Sequence, residues 1–245
     1  MTKADEYRTK LRALDNWDAY LLKESGLPGP RGNIELAQAV ADEGTRALFR
    51  RYLAYTADKA PVNSPYEFLA FCGVVGLGRL LAEGDRKLFK ALRRYASDPR
   101  WRMREGVAMA LQRLGAVDME ALTAEMHVWS GGTFLEQRAA AAAMCEPRLL
   151  KQAPHARAAL QIVDQCTVSI AQADNRRDTD FLTLRQGLGY CWSVAVVALP
   201  EEGKPLMKKW LLTADKDVQW MMRENLKKTR LARMDAGWVK KWQFS

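Results

Sequence analysis

The sequence predicts an all-α fold, a right-handed α-solenoid of stacked helix pairs, and three observations predict it. The first is the stretch Asp98-Pro-Arg-Trp-Arg-Met-Arg-Glu-Gly-Val-Ala-Met-Ala-Leu-Gln-Arg-Leu114, where Met103, Val107, Ala110, Leu111 and Leu114 recur at helical spacing. The second is the return of this frame as Asp217-Val-Gln-Trp-Met-Met-Arg-Glu-Asn-Leu226. There Trp220, Arg223 and Glu224 each stand 119 residues after Trp101, Arg104 and Glu105. The third is a series of equivalent arginines, Arg104, Arg138, Arg185 and Arg223, spaced by 34, 47 and 38 residues as helix-pair repeats produce. No strand-like alternation competes with this periodicity.

The elements follow in order. Residues 3–25 read as a helix with a break at Asp15-Asn16 and an apolar side of Leu11, Leu14, Trp17, Tyr20 and Leu21. Gly26-Leu-Pro-Gly-Pro-Arg-Gly-Asn33 is the densest Gly/Pro cluster and predicts a loop. Asn33 caps a helix predicted to run to about Thr56. Glycines before a helix start, with Arg31 beside them, can hold a phosphate, although most such loops only turn the chain. Ser64-Pro65 opens a helix to about Glu83, and Gly73, Gly76 and Gly78 within it predict a close helix–helix approach, since each costs about 1 kcal/mol against alanine. Asp98 is read as the cap and Pro99 as the first residue of the central inner helix. Inner helices are predicted at about 66–82, 100–114, 133–146, 181–198 and 217–229, with outer helices at about 85–96, 118–129, 154–172 and 204–213. One domain spans 1–245: an N-terminal helical cap over 1–62, repeats over 63–230 and a C-terminal cap over 231–245.

Composition bounds the partners. The formal net charge of +9 sits entirely in two segments, +7 over 86–114 and +5 over 201–245, while the rest is slightly acidic. A positive field of this kind points to a polyanion, with nucleic acid first; the alternative is a solvated helix face. Arg86, Lys87, Lys90, Arg93 and Arg94 share one side of their helix, away from Leu88, Leu92 and Tyr95. Cys72, Cys145, Cys166 and Cys191 have no metal spacing and read as buried thiols in a reducing cytoplasm. The N-terminus reads as polar with no signal peptide, and no apolar run approaches the ~18 residues of a membrane span. His127 and His155 lie apart, without ligand spacing, so neither a metal nor a cofactor is expected.

The Asp-x-x-x-x-x-Arg frame before an Ala/Leu-rich helix, in Asp98–Leu111 and Asp217–Leu226, resembles the HEAT repeat. The resemblance implies a hydrogen-bonded ladder between stacked repeats. It would use Asp98, Arg104, Asp217 and Arg223, with Arg138 and Arg185 in part, since Gly132 and Thr179 occupy their aspartate positions. Length, basic balance and tryptophans also look like the bacterial HEAT-like alkylpurine DNA glycosylase superfamily, which would imply DNA repair on a positive concave face. The closely spaced Trp/Asp catalytic segment of that family has no counterpart here: Trp192 precedes Ser-Val-Ala-Val and Trp129 precedes Ser-Gly-Gly.

Three functions follow: a non-catalytic nucleic-acid-binding module, a DNA-base glycosylase, or a protein-binding scaffold. The partners are duplex DNA or another nucleic acid, or a protein, with no membrane. Arg100, Trp101, Arg102, Trp220, Lys227 and Lys228 are the candidate nucleic-acid contacts. The tryptophans would stack and the cations would hold phosphates, against the alternative of packing between repeats. Glu105 and Glu224 are positioned as candidate bases, against the commoner surface ion pair.

Overall fold

A computed structural model describes residues 2–243. They form fifteen α-helices, with no strand among the described residues. The chain divides into two compact units, Met1–Val117 and Asp118–Ser245.

Unit 1 carries α1 (Lys3–Arg12), α2 (Asp18–Glu24), α3 (Ile34–Glu43), α4 (Arg46–Leu53), α5 (Pro65–Ala82), α6 (Leu88–Tyr95) and α7 (Trp101–Gly115). The odd-numbered helices pack in succession, α1 on α3, α3 on α5 and α5 on α7, while α2, α4 and α6 cover α5. The predicted break near Asn16 is present. The helix predicted from Asn33 to Thr56 is instead two. Val40 O approaches within 2.7 Å of where a side chain on Gly44 would begin, and Thr45 accepts from Leu48 N to cap α4. A Gly-Thr pair is itself a stop and a start.

Ser64 and Pro65 open α5 as expected, with Ser64 Oγ accepting from Glu67 N. The central inner helix departs from expectation at its start. α7 begins at Trp101 with no side-chain cap, because Asp98 Oδ1 accepts from Arg100 N and Arg100 Nε instead. α5 is 18 residues long and apolar enough to cross a membrane, contrary to the sequence expectation, and 78% of it is buried inside the protein. Its glycines are explained by contact: a side chain at Gly78 would run into the Ala110 backbone of α7, and one at Gly76 into the Phe49 ring of α4.

Unit 2 carries α8 (Met119–Ser130), α9 (Phe134–Met144), α10 (Ala153–Ala171), α11 (Thr179–Ala198), α12 (Pro200–Leu211), α13 (Lys216–Leu226), α14 (Thr229–Met234) and α15 (Ala236–Gln243). The helices α8, α10 and α12 touch in succession, as do α9, α11 and α13, and each member of one row packs on its neighbour in the other. Asp118, Thr133, Asp178 and Asp215 cap α8, α9, α11 and α13 through their side chains. Leu199 serves both ends of a joint without a linker, closing α11 and preceding α12, with Pro200 as the first residue of α12. Gly203 admits the fold-back: a side chain there would lie 2.7 Å from Val196 Cα. All four cysteines are buried, and burial pushes the Cys72 thiol well above its ordinary value.

Helix propensity alone would make Gly78→Ala stabilising by about 1 kcal/mol. The close approach to Ala110 reverses the sign, since overpacking costs about 1–3 kcal/mol. Urea unfolding of Gly78→Ala is expected to show a net loss of stability, and a gain would refute the tight α5–α7 contact.

Candidate nucleic-acid interface

The candidate residues fall into two groups, one in each unit. In unit 1, Trp101 opens α7 and stays 44% exposed, with the Arg102 guanidinium 4.4 Å from its ring centroid. Arg102 itself is buried. Its Nη1 donates to Glu67 Oε2 at 3.0 Å, and its Nη2 donates to Gly29 O at 2.7 Å and Asn63 Oδ1 at 3.2 Å. Glu67 has no exposed surface, and its Oε2 also accepts from Asn63 N. The Gly26–Asn33 loop is thereby fastened to the starts of α5 and α7; Gly29 N completes the knot on Asn63 Oδ1.

Arg100 is also buried. It gives Nε and Nη2 to Asp98 at 2.9 Å each and Nη1 to the carbonyls of Tyr55 and Ala60. Arg100 and Arg102 are therefore corrected from phosphate contacts to internal cations. Their charge is spent on Asp98 and Glu67, and burial keeps a phosphate from either guanidinium.

The ladder also takes different partners. Arg104 Nη1 donates to the main-chain carbonyls of Asp98 and Pro99 at 2.8 and 3.2 Å, while Arg100 engages the Asp98 carboxylate. In unit 2, Asp217 is held by Arg185 from α11 and by Arg176 Nη1 at 3.0 Å from the preceding loop. Arg223 is exposed and outside this link. The Arg138 stem lies against Gly187 of α11. Burial raises the Asp217 carboxyl, but the hydrogen bonds and charges of Arg176 and Arg185 outweigh it, so the group sits below its ordinary value. Arg176 also pairs with Asp215 at 2.7 Å. It lies in the short polar connection between α10 and α11.

Trp220 is half-buried beneath Arg185, whose guanidinium is 4.5 Å from the ring centroid. Both units thus hold a tryptophan, an arginine and a carboxylate together, with the roles exchanged. In unit 1 the arginine shares the tryptophan's helix, α7, and the carboxylate comes from α5. In unit 2 the carboxylate shares the tryptophan's helix and the arginine crosses over.

Beyond Trp220 the α11–α13 face turns basic. Gly189 of α11 lies against Trp220 and Glu224 of α13. The next residue, Tyr190, is 46% exposed, with Lys228 Nζ 5.9 Å and Arg230 Cζ 4.5 Å from its ring centroid. Lys227, the residue that closes α13, is exposed and pairs with Glu224 one turn back, a surface link of the weak kind. The structure thus brings Lys228 to Tyr190 and Arg230, two residues that the sequence reading missed, while Trp220 lies against Arg185 and Gly189. A tyrosine at a helix surface carries no signal until the chain that crosses it is known.

In unit 1, Lys87 before α6 and Lys90 and Arg94 on it are exposed, and Arg86, two residues before the helix, donates Nη1 to the Leu81 carbonyl at 3.0 Å. Trp129, whose indole donates to Glu125 Oε1, and Trp192, whose indole donates to Thr167 Oγ1, are fully buried core residues.

Two substitutions test this geometry. Arg102→Met leaves the Glu67 charge buried and unpaired, and is expected to cost about 3–5 kcal/mol in urea unfolding; adding Glu67→Gln should restore most of it. A single variant as stable as wild type would refute the buried pair. Asp217 has a lowered folded-state value, so its contribution is complete above the ordinary aspartate value of about 4 and is lost as pH falls through the folded value. Asp217→Asn is therefore expected to lower the melting temperature at neutral pH, with the gap to wild type closing in acid. A gap that persists unchanged in acid would show that the charge is not what stabilises.

Comparison of the chain with protein-family models, with curated proteins and with solved structures finds no match.

Proposed function

We propose that this chain is a nucleic-acid-binding module without catalysis, built as a right-handed solenoid of HEAT-like helix pairs. The successive packing of α8–α10–α12 and α9–α11–α13 supports the architecture within unit 2. The observation that carries the function is the basic face of unit 2. Lys228 and Arg230 gather around Tyr190, and exposed Lys227 stands beside Lys228 in the chain, one turn beyond the exposed Arg223 of α13. Cations set on rigid helices and facing water gain by releasing the counterions of a polyanion. The carboxylates that hold the arginines lying on Trp101 and Trp220 are themselves engaged, Glu67 by Arg102 and Asp217 by Arg176 and Arg185, which speaks against their use in glycosidic cleavage.

A protein-binding scaffold is the second reading, and unit 1 favours it. Val62, Tyr66 and Trp101 are exposed at the starts of α5 and α7, where the Glu67–Arg102 pair draws the two helices together.

Fluorescence anisotropy with labelled nucleic acid at several salt concentrations tests the proposal. With about four phosphates contacted, log affinity should fall against log salt with a slope near −4 on duplex and near −3 on a single strand. Lys227→Ala with Lys228→Ala should weaken binding to all sequences alike and flatten the slope by about 2. Absence of binding at low salt would favour the scaffold, and release of alkylated bases from damaged DNA would favour the glycosylase.

A further inference from the structure

Unit 2 covers Trp129, Phe181 and Trp192 fully, yet it leaves nearly half of Tyr190 in water. The backbone beneath that ring is firmly held. Ser193 Oγ donates to Tyr190 O at 2.7 Å, and Ser193 N donates to Asn225 Oδ1 at 2.8 Å from α13. Buried Asn225 donates in turn to Leu188 O at 2.8 Å, two residues before Tyr190. Arg230 Nη2 donates to the tyrosine hydroxyl, which sets the ring's outer edge. Trp101 and Tyr66 are similarly exposed, but the arginines beside Trp101 are buried in carboxylate pairs. Of these three, Tyr190 alone combines a fixed, exposed ring with cations, Lys228 and Arg230, that pair with no carboxylate among the described residues.

We propose that Tyr190 is a stacking platform for an unpaired base, and that the ligand of this surface is single-stranded nucleic acid rather than duplex. The inference rests on the reading of unit 2 as a nucleic-acid surface and narrows it. A duplex keeps its base faces stacked inside and offers this surface only phosphates. A single strand can offer a base face as well, and every base has one, so the selection is for strandedness and not for sequence. The phosphates flanking the stacked base fall to Lys227, Lys228 and Arg230, and the Arg230 guanidinium adds its own attraction for the base and ring faces.

The test uses the full chain, a labelled single strand and a duplex of equal length, and a single strand carrying a fluorescent adenine analogue that is quenched on stacking. The single strand is expected to bind more tightly than the duplex at every salt concentration. Tyr190→Ala should weaken the single strand at least about fivefold and leave the duplex unchanged. Tyr190→Phe, which keeps the ring and loses the hydroxyl, should keep wild-type affinity. The analogue should be quenched by wild type and by Tyr190→Phe but not by Tyr190→Ala. Equal losses on both ligands without quenching would overturn the platform and leave Tyr190 as a support for Arg230. The basic-surface reading would survive that result if the Lys227 and Lys228 substitutions still weaken binding. Binding to neither ligand would overturn both.

Discussion

Glu67 lies wholly inside unit 1, one turn into α5, and its charge is tolerable there only because Arg102 reaches it from the first turn of α7. The pair does more than neutralise itself. The same guanidinium holds the Gly29 carbonyl and the Asn63 side chain, so the early loop, the turn before α5 and the start of α7 share one anchor. Glu67 Oε1 and Arg102 Nε find no hydrogen-bond partner, so the arrangement is not the most stable one available. Such a pair selects one register of α5 on α7, and the contact of Gly78 with Ala110 further along the same two helices enforces it.

Much of this fold is legible in the sequence because local signals agree with each other. Apolar spacing located α5, α7, α9, α11 and α13 to within a few residues, and Ser64-Pro65 marked the start of α5. The glycines at 73, 76 and 78 announced a close approach that the structure shows. What escaped were choices between partners. Asp98 stands where a cap belongs, but a nearby arginine competes for it, and propensity does not weigh the two. Glu67 is 35 residues from Arg102 and Asp217 is 32 from Arg185, so each pair depends on which helices become neighbours. Tyr190 and Arg230 were invisible for the same reason.

The charge distribution gives a similar lesson. The richest basic segment, 86–114, presents less field than its formal +7 implies. Arg100, Arg102 and Arg113 are matched by Asp98, Glu67 and Asp42, and the last two lie outside the segment. The poorer segment, 201–245, keeps Lys228 and Arg230 around one exposed ring. Local net charge is therefore a weaker guide to a binding face than the location of the countercharges.

The joint at Leu199 has a mechanical consequence. With no linker between α11 and α12, and with Gly203 seated on Val196, the two helices have no slack in which to swing independently. Lys204, one residue beyond Gly203, is tied at 2.6 Å to Asp235, whose Oδ1 accepts from Trp238 N at the start of α15. The start of α15 is thus joined through Asp235 and Lys204 to α12, and through the Leu199 joint to α11, the helix that holds both Arg185 and Tyr190.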